Sequence, residues 1–302
     1  MIDNVIVSSR RKAKGDVNFL TSLVKVVFRG DVPWISIGIL LLILFFAVGG
    51  AHILPHDPNR LDLGLSFRPP FGFSGSEPGY LLGTDNLGRD VLSRIMIGSR
   101  VSLLVALYAI VISGGIGTIV GMLAGYFGGL VDAFLMRLVD IQMSIPALAL
   151  ALVLAAVLGP GFKTVVLVIV VTYWTWYARI VRGEVLSLKE RDYVALAKVA
   201  GCSTFTILRR HLLPNLLNTL LVLATLQVGQ VIIFEASLSF LGLGIQQPDV
   251  SWGLMLADAR NYIENAWWVI TLPGIAIMLI CLASNLLGDW LRDKFDPRRR
   301  QL

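Results

Sequence analysis

The chain has 302 residues, 56% of them hydrophobic and only 15% charged, a balance outside the range of water-soluble domains that points to several membrane crossings. Its 26 Lys and Arg against 20 Asp and Glu leave a net charge of +6. No basic stripe is interleaved with exposed aromatics, so the excess reads as membrane topology and nucleic acid is excluded as a partner.

The pattern predicts an all-α integral membrane protein with six transmembrane helices. Residues 1–32 form a polar leader in which Val17, Phe19, Leu20, Leu23, Val24, Val27 and Phe28 alternate with Lys25 and Arg29, so 16–30 reads as an amphipathic helix on the lipid surface. The first crossing covers 33–54; it is too long for a signal-peptide core and reads as a retained anchor. His52 and His56 stand at i, i+4 beside Asp57. One pair of imidazoles lacks the three or four ligands of a stable metal site, so an interfacial pair is expected there and no metal. Residues 55–100 leave the membrane on the far side. Pro55, Pro58, Pro69, Pro70 and Pro78 make the start of this segment irregular, and Thr84 or Asp85 is placed to cap a helix carrying Leu87, Val91 and Ile95 toward the second crossing.

The transmembrane core, 101–290, holds the other five crossings at 101–125, 134–158, 164–181, 219–243 and 266–288, each long enough for about 30 Å of hydrocarbon. In the second, Gly117, Gly121 and Gly125 make two GxxxG steps that let another helix approach closely, in this chain or in a partner. Arg137 and Asp140, at i, i+3, are expected to pair with each other. Gly159-Pro160-Gly161 is a tight hairpin. Glu235 is the one carboxylate deep in an apolar span, and such a group is expensive enough to be a substrate-path candidate, the alternative being a place near a water-filled cavity or a bond to a neighbouring helix that holds the bundle together. A second far-side segment runs from 245 to 265, and 291–302 form a tail.

Between the fourth and fifth crossings lies a charged, turn-marked island, 184–215. Helix formers run from Arg191 to Ala200, and Ala195, Ala197, Ala200 and Gly201 leave room for a partner. Gly201 is a natural stop. Ser203 then caps a second helix with Phe205, Leu208 and Leu212 on one face and Arg209, Arg210 and His211 polar, until Pro214 forbids continuation. The shape is an elbow that docks a second protein. Most Lys and Arg fall in the leader, the island and the tail, which by the positive-inside rule puts both termini and the elbow in the cytoplasm.

The chain has no GxxxxGK[ST] loop to cradle phosphates and no GxSxG, so it carries no catalytic residues and any ATP-derived energy comes from a partner. Cys202 and Cys281 lie in different environments and imply no disulfide. A self-contained secondary transporter would need buried ion-coupling groups and a repeated pair of broken helices, and only Glu235 qualifies. A receptor or scaffold using the same elbow would bind without flux.

The elbow resembles the EAA loop of binding-protein-dependent ABC importers, with Ala197, Gly201, Leu213 and Pro214 at matching positions and Ala195 and Leu196 where that pattern has Glu and Ala. Further blocks, among them LGTDNLGRDVLSR at 82–94, GPG at 159–161, RDYVALAKVAG at 191–201, EASLSFLGLG at 235–244 and NLLGDWLRDKFDPR at 285–298, are similar to the second permease subunit of the dipeptide, oligopeptide and nickel importer family. The resemblance implies the MetI-like ABC importer permease fold in a bacterial cytoplasmic (inner) membrane. It implies a second homologous permease, two cytoplasmic ATPase subunits that bind the ATP and Mg, an extracytoplasmic solute-binding protein, and a peptide, nickel chelate, glutathione, opine or related solute. Lipid surrounds the complex, and this chain holds no cofactor. The resemblance also implies that Asp192, Tyr193, Ala197, Gly201, Leu213 and Pro214 seat in a groove on one ATPase.

Overall fold

The computed structural model describes residues 32–295. The leader, its amphipathic segment and the end of the tail lie outside the described residues. Among the described residues the only bridge pairing is the isolated one between Thr84 and Asp90, and everything else regular is helical. That follows from the solvent: hydrocarbon offers no partner for a backbone amide, so each span must satisfy its own ladder.

Helix α1 (Trp34–Ile53) opens after Pro33 and contains no Asp, Glu, Lys or Arg. Helix α2 (Val91–Phe127) has 37 residues, about 55 Å at 1.5 Å per residue, nearly twice the hydrocarbon thickness. It starts ten residues before the expected crossing, and its cap is Asp90, whose Oδ2 accepts from the Ser93 N–H at 3.0 Å. Thr84 and Asp85, the expected caps, are spent instead on the loop before it. Asp85 Oδ1 accepts from the Leu87 and Arg89 amides at 2.9 and 3.0 Å, and left-handed glycines at Gly83 and Gly88 turn the chain there. The glycine row of α2 faces helix α5 (Phe162–Leu188) of the same chain. A Cβ at Gly121 would sit 2.5 Å from the Ala178 carbonyl oxygen, and one at Gly125 2.9 Å from Val185 Cβ. The close approach is therefore intramolecular.

The expected third crossing is not one rod. Helices α3 (Gly129–Met143) and α4 (Ala147–Leu158) meet at 83° across Ser144–Pro146, so the described residues hold five candidate spans, or six if the bent pair is one. Pro146 has no N–H to donate and disfavours helical backbone at Ile145, which places the break. Helix α3 is strapped to α5: Arg182 grips both Asp132 oxygens at 2.5 and 2.6 Å, Arg179 reaches Asp140 at 2.6 Å, and Trp174 Nε1 donates to Gln142 Oε1 at 2.8 Å. This corrects the expected Arg137–Asp140 pair. Asp140 turns to the neighbouring helix, and Arg137 stays exposed.

Beyond α5 come the short helix α6 (Asp192–Val199), the long α7 (Thr204–Phe240), α8 (Trp252–Ala259) and α9 (Trp267–Phe295). The main core joins α1, α2, α5, α7, α8 and α9 through Ile43, Val105, Ala109, Ile169, Tyr177, Ile232, Trp252 and Ile280. Residues 54–90 and 241–266 form a lobe at the end of the bundle opposite the elbow. Arg89 and Arg94, both buried in that lobe, bind Asp85 at 2.6 and 3.6 Å and Asp258 of α8 at 3.1 and 3.5 Å. His52 and His56 do not pair, because the helix that would align them ends at Ile53. His56 instead stacks on Tyr80 with ring centres 4.2 Å apart, and its Nδ1 lies 3.6 Å from Asp90 Oδ2.

Candidate functional site: the elbow between α5 and α7

The elbow is built on a small core of its own. Val181 and Val185 of α5, Val194 and Ala197 of α6, and Ile207, Leu212 and Leu216 of α7 are all buried together, with Met122 and Tyr126 of α2 against them. Each buried aliphatic of that size contributes about 1.5–3 kcal/mol, so the turn is held to the bundle along both arms. Lys189 adds a bond from Nζ to the Gly125 carbonyl at 3.0 Å.

Local chemistry shapes the bend. Asp192 lies in the first turn of α6, where the helix dipole favours an anion. The helix ends in a Schellman arrangement: the Gly201 N–H donates to the Lys198 carbonyl and the Cys202 N–H to the Ala197 carbonyl, each at 3.0 Å. Gly201 has φ +75° with nothing within 4 Å of where a Cβ would be, so glycine is needed there for its backbone and not for space. Ser203 Oγ accepts from the Thr206 N–H at 3.3 Å and opens α7.

Pro214 does not end the second arm. The helix from Thr204 runs unbroken to Phe240, with a π-turn over Ile207–Leu212 just before the proline, where the Leu213 N–H bonds the Leu208 carbonyl five residues back. A proline in a straight helix loses its bond to residue i−4 and collides with that carbonyl; the wider turn opens the ladder at that point. The Asn215 side chain donates to the His211 carbonyl at 2.6 Å beside the break in pattern.

The extra residue in that turn also rotates the register by about 100°. Phe205 was expected to share the inward stripe with Leu212. It is 69% exposed, and the inward positions are Ile207, Leu212 and Leu216, spaced five and then four apart. On α6 the outward residues are Leu196, 68% exposed, and Val199, 87% exposed, with Tyr193 beside them and Asp192, Ala195, Ala200 and Gly201 also open. Leu196 and Val199, at i, i+3 on α6, thus make an exposed apolar ridge, Phe205 is exposed on the arm after the bend, and Arg191, Lys198, Arg209 and Arg210 of the same segment are exposed as well. Sequence reasoning passed over this ridge; the signal was three large apolar residues in a charged segment at spacings that fit no inward stripe. Of the six residues expected to couple, Asp192, Tyr193 and Gly201 lie on this open side, Leu213 is half-buried and Pro214 exposed at the base of α7. Ala197 is 7% exposed and faces the elbow core.

Glu235 lies far from this surface, five residues from the end of α7, and is fully buried. Its Oε1 accepts from Ser239 Oγ at 2.7 Å and Ser251 Oγ at 2.8 Å, and it lines neither of two cavities that open along the bundle. One of these, about 190 Å³, lies at the α3–α4 break between Gln142, Ile145, Pro146, Thr172, Thr175 and Trp176. The other, about 530 Å³, lies at the elbow end between α5, α7 and α9, with Glu184, Asn218, Thr219 and Arg292 in its wall.

Residues 117–301 match the family described as binding-protein-dependent transport system inner membrane component. Over 86% of both chains the protein is 43% identical to the di/tripeptide transport system permease protein DppC of Pseudomonas aeruginosa. It is 40% identical to the probable D,D-dipeptide transport system permease protein DdpC of Escherichia coli, over 86% of this chain and 85% of that one, and 40% identical to the dipeptide transport system permease protein DppC of Bacillus subtilis, over 87% and 81%. Among solved structures the inward-facing MetNI methionine ABC transporter superposes with a TM-score of 0.51 at 20% identity, covering 67% of this chain and 96% of that one. An amino acid ABC transporter superposes with a TM-score of 0.51 at 14% identity, covering 67% and 94%, and at these identities both speak for the MetI-like fold alone. An elbow between two spanning helices, a bundle of that fold and a match over more than half the chain converge: the protein belongs to the family of inner-membrane components of binding-protein-dependent transport systems.

Proposed function

We propose that this chain is a permease subunit of an ATP-driven importer of di- or oligopeptides or a related small solute, forming half of the path together with a second, homologous permease. Two cytoplasmic ATPases that hold the ATP and Mg supply the energy, and a solute-binding protein delivers cargo to the lobe. The exposed ridge of Leu196 and Val199, with Phe205 exposed beyond the bend, carries the reading, because it sits on a turn that is packed on its own core and continuous with a spanning helix. A rigid ridge on a rigid rod converts closure of a partner into tilt of the bundle. The Lys and Arg bias supports a cytoplasmic position for both termini and this ridge, on the side where the ATPases would be.

The bent pair α3–α4 supports a path on the side of Ser144. Gln142 is held by Trp174, near the middle of α5, so the break sits at mid-depth. Non-helical backbone at that depth is tolerated only against protein or water. Ser144, Ile145 and Pro146 are exposed on this chain, so they face the companion permease, the path, or both.

The test is reconstitution of the whole complex in vesicles with ATP inside or outside and peptide-loaded receptor on the opposite face. Uptake should require hydrolysable ATP and the receptor, and should survive collapse of the proton gradient. Uptake that continues without ATP and stops with the gradient would instead make the chain a secondary transporter.

A further inference from the structure

Glu235 has a second reading that its burial favours over contact with cargo. Its carboxylate joins α7 to the far lobe. Ser251, which donates to it, is also the cap of α8, accepting from the Leu254 N–H at 3.1 Å. Ser239, its other donor, accepts from the Ile245 N–H at 3.2 Å and so pins the start of the segment leading to α8. The Trp252 amide reaches Ser102 Oγ of α2 at 3.4 Å, and Trp252 Nε1 donates to the Ile95 carbonyl at 2.9 Å. Gly253 lets α8 lie directly on α7, since a Cβ there would be 2.6 Å from Ala236 Cα. Helix α8 then carries Asp258 to the Arg89 and Arg94 cluster, and Trp268 Nε1 of α9 donates to the Thr84 carbonyl at 3.0 Å. A buried acid that accepts from the Ser239 and Ser251 hydroxyls and lies close against Gly253 of α8 is a fastening, and the fastened helix is the one whose other end bears the elbow, about 47 Å away along 31 residues.

We propose that Glu235 is a positioning residue that locks the far lobe to the elbow-bearing helix, so that a solute receptor seated on the lobe alters ATP hydrolysis at the elbow through α7. The inference rests on the coupling reading above. Removing the lock should leave both ends intact and sever their communication.

The experiment uses the complete transporter in vesicles and reads the ratio of hydrolysis with receptor to hydrolysis without it, together with ATPase retention. Glu235→Leu, which removes the acceptor without leaving an unpaired charge, should lower that ratio roughly five- to tenfold, within the usual span of coupling between sites. Glu235→Gln keeps an oxygen for Ser239 and Ser251 and should hold the ratio within roughly twofold of wild type. Ser251→Ala, which deletes one donor, should fall between them, and is the variant to read if Glu235→Leu fails to reach the membrane. An unchanged ratio in Glu235→Leu overturns the inference, as does a loss in Glu235→Gln equal to that in Glu235→Leu, or loss of assembly in both Glu235→Leu and Ser251→Ala. Val199→Asp separates the two ideas. If it sheds the ATPase while Glu235→Leu remains fully stimulated, only the lock is wrong; if it retains the ATPase and normal coupling, the elbow reading falls first.

Discussion

Replacing Leu196 and Val199 by aspartate asks whether the ridge is an interface. Both side chains are largely in solvent in the isolated chain, at 68% and 87% exposure, so their loss should cost the fold itself no more than about 0.5 kcal/mol. If a partner groove buries them, each forfeits about 1.5–3 kcal/mol of apolar transfer, and the pair about 3–6 kcal/mol. At 1.4 kcal/mol per decade that weakens ATPase binding by roughly two to four orders of magnitude, before any cost of burying the new carboxylates. The assay is co-purification of tagged ATPase from membranes, with abundance of this chain in the membrane as the internal control. Normal abundance with lost ATPase is the expected result. Retention of the ATPase and normal peptide uptake by Leu196→Asp with Val199→Asp would refute the reasoning, and would leave the ridge a lipid-facing or idle surface.

Two further outcomes follow from backbone and depth. Gly201→Ala must hold a left-handed φ with no compensating contact, so it should destabilise the elbow by about 1–2 kcal/mol, and Gly201→Asn by less; protease nicking at the elbow in otherwise intact membranes reads this directly. Ser144→Cys, at the break between α3 and α4, should react with a membrane-impermeant thiol reagent faster than Val157→Cys on the exposed face of α4, because only the break needs water or protein around its backbone. Equal and slow reaction at both positions would remove the break from the path.

Much of the architecture was legible as pattern. Long apolar runs bounded by charge have one solution in hydrocarbon, so the helices over Trp34–Ile53, Phe162–Leu188 and Trp267–Phe295 could be placed within a few residues, apart from the ends of the last two. The bend after α6 was legible because Gly201 and Ser203 act through backbone and cap chemistry that depends on near neighbours alone. The misplaced features all depend on what lies across the chain. Asp140 chose Arg179 over Arg137 because α5 lies alongside α3, and Asp85 was taken by Arg89 and Arg94 before it could cap a helix. The π-turn absorbed Pro214 and moved Phe205 outward, an adjustment of one residue that no 3.6-residue periodicity anticipates.

By itself the sequence determined that this chain lives in a membrane as a helical bundle with a charged elbow between its fourth and fifth crossings, since hydropathy, glycine stops and serine caps act locally. Only the tertiary structure decided which face of that elbow is open, that the glycine row of α2 serves α5 and not a partner, and that Glu235 is sealed among serines at the far end of the elbow's own helix. Those are relations between segments distant in sequence. They arise when helices pack, because packing alone determines which acceptor a buried donor meets and which apolar side chain is left without a neighbour.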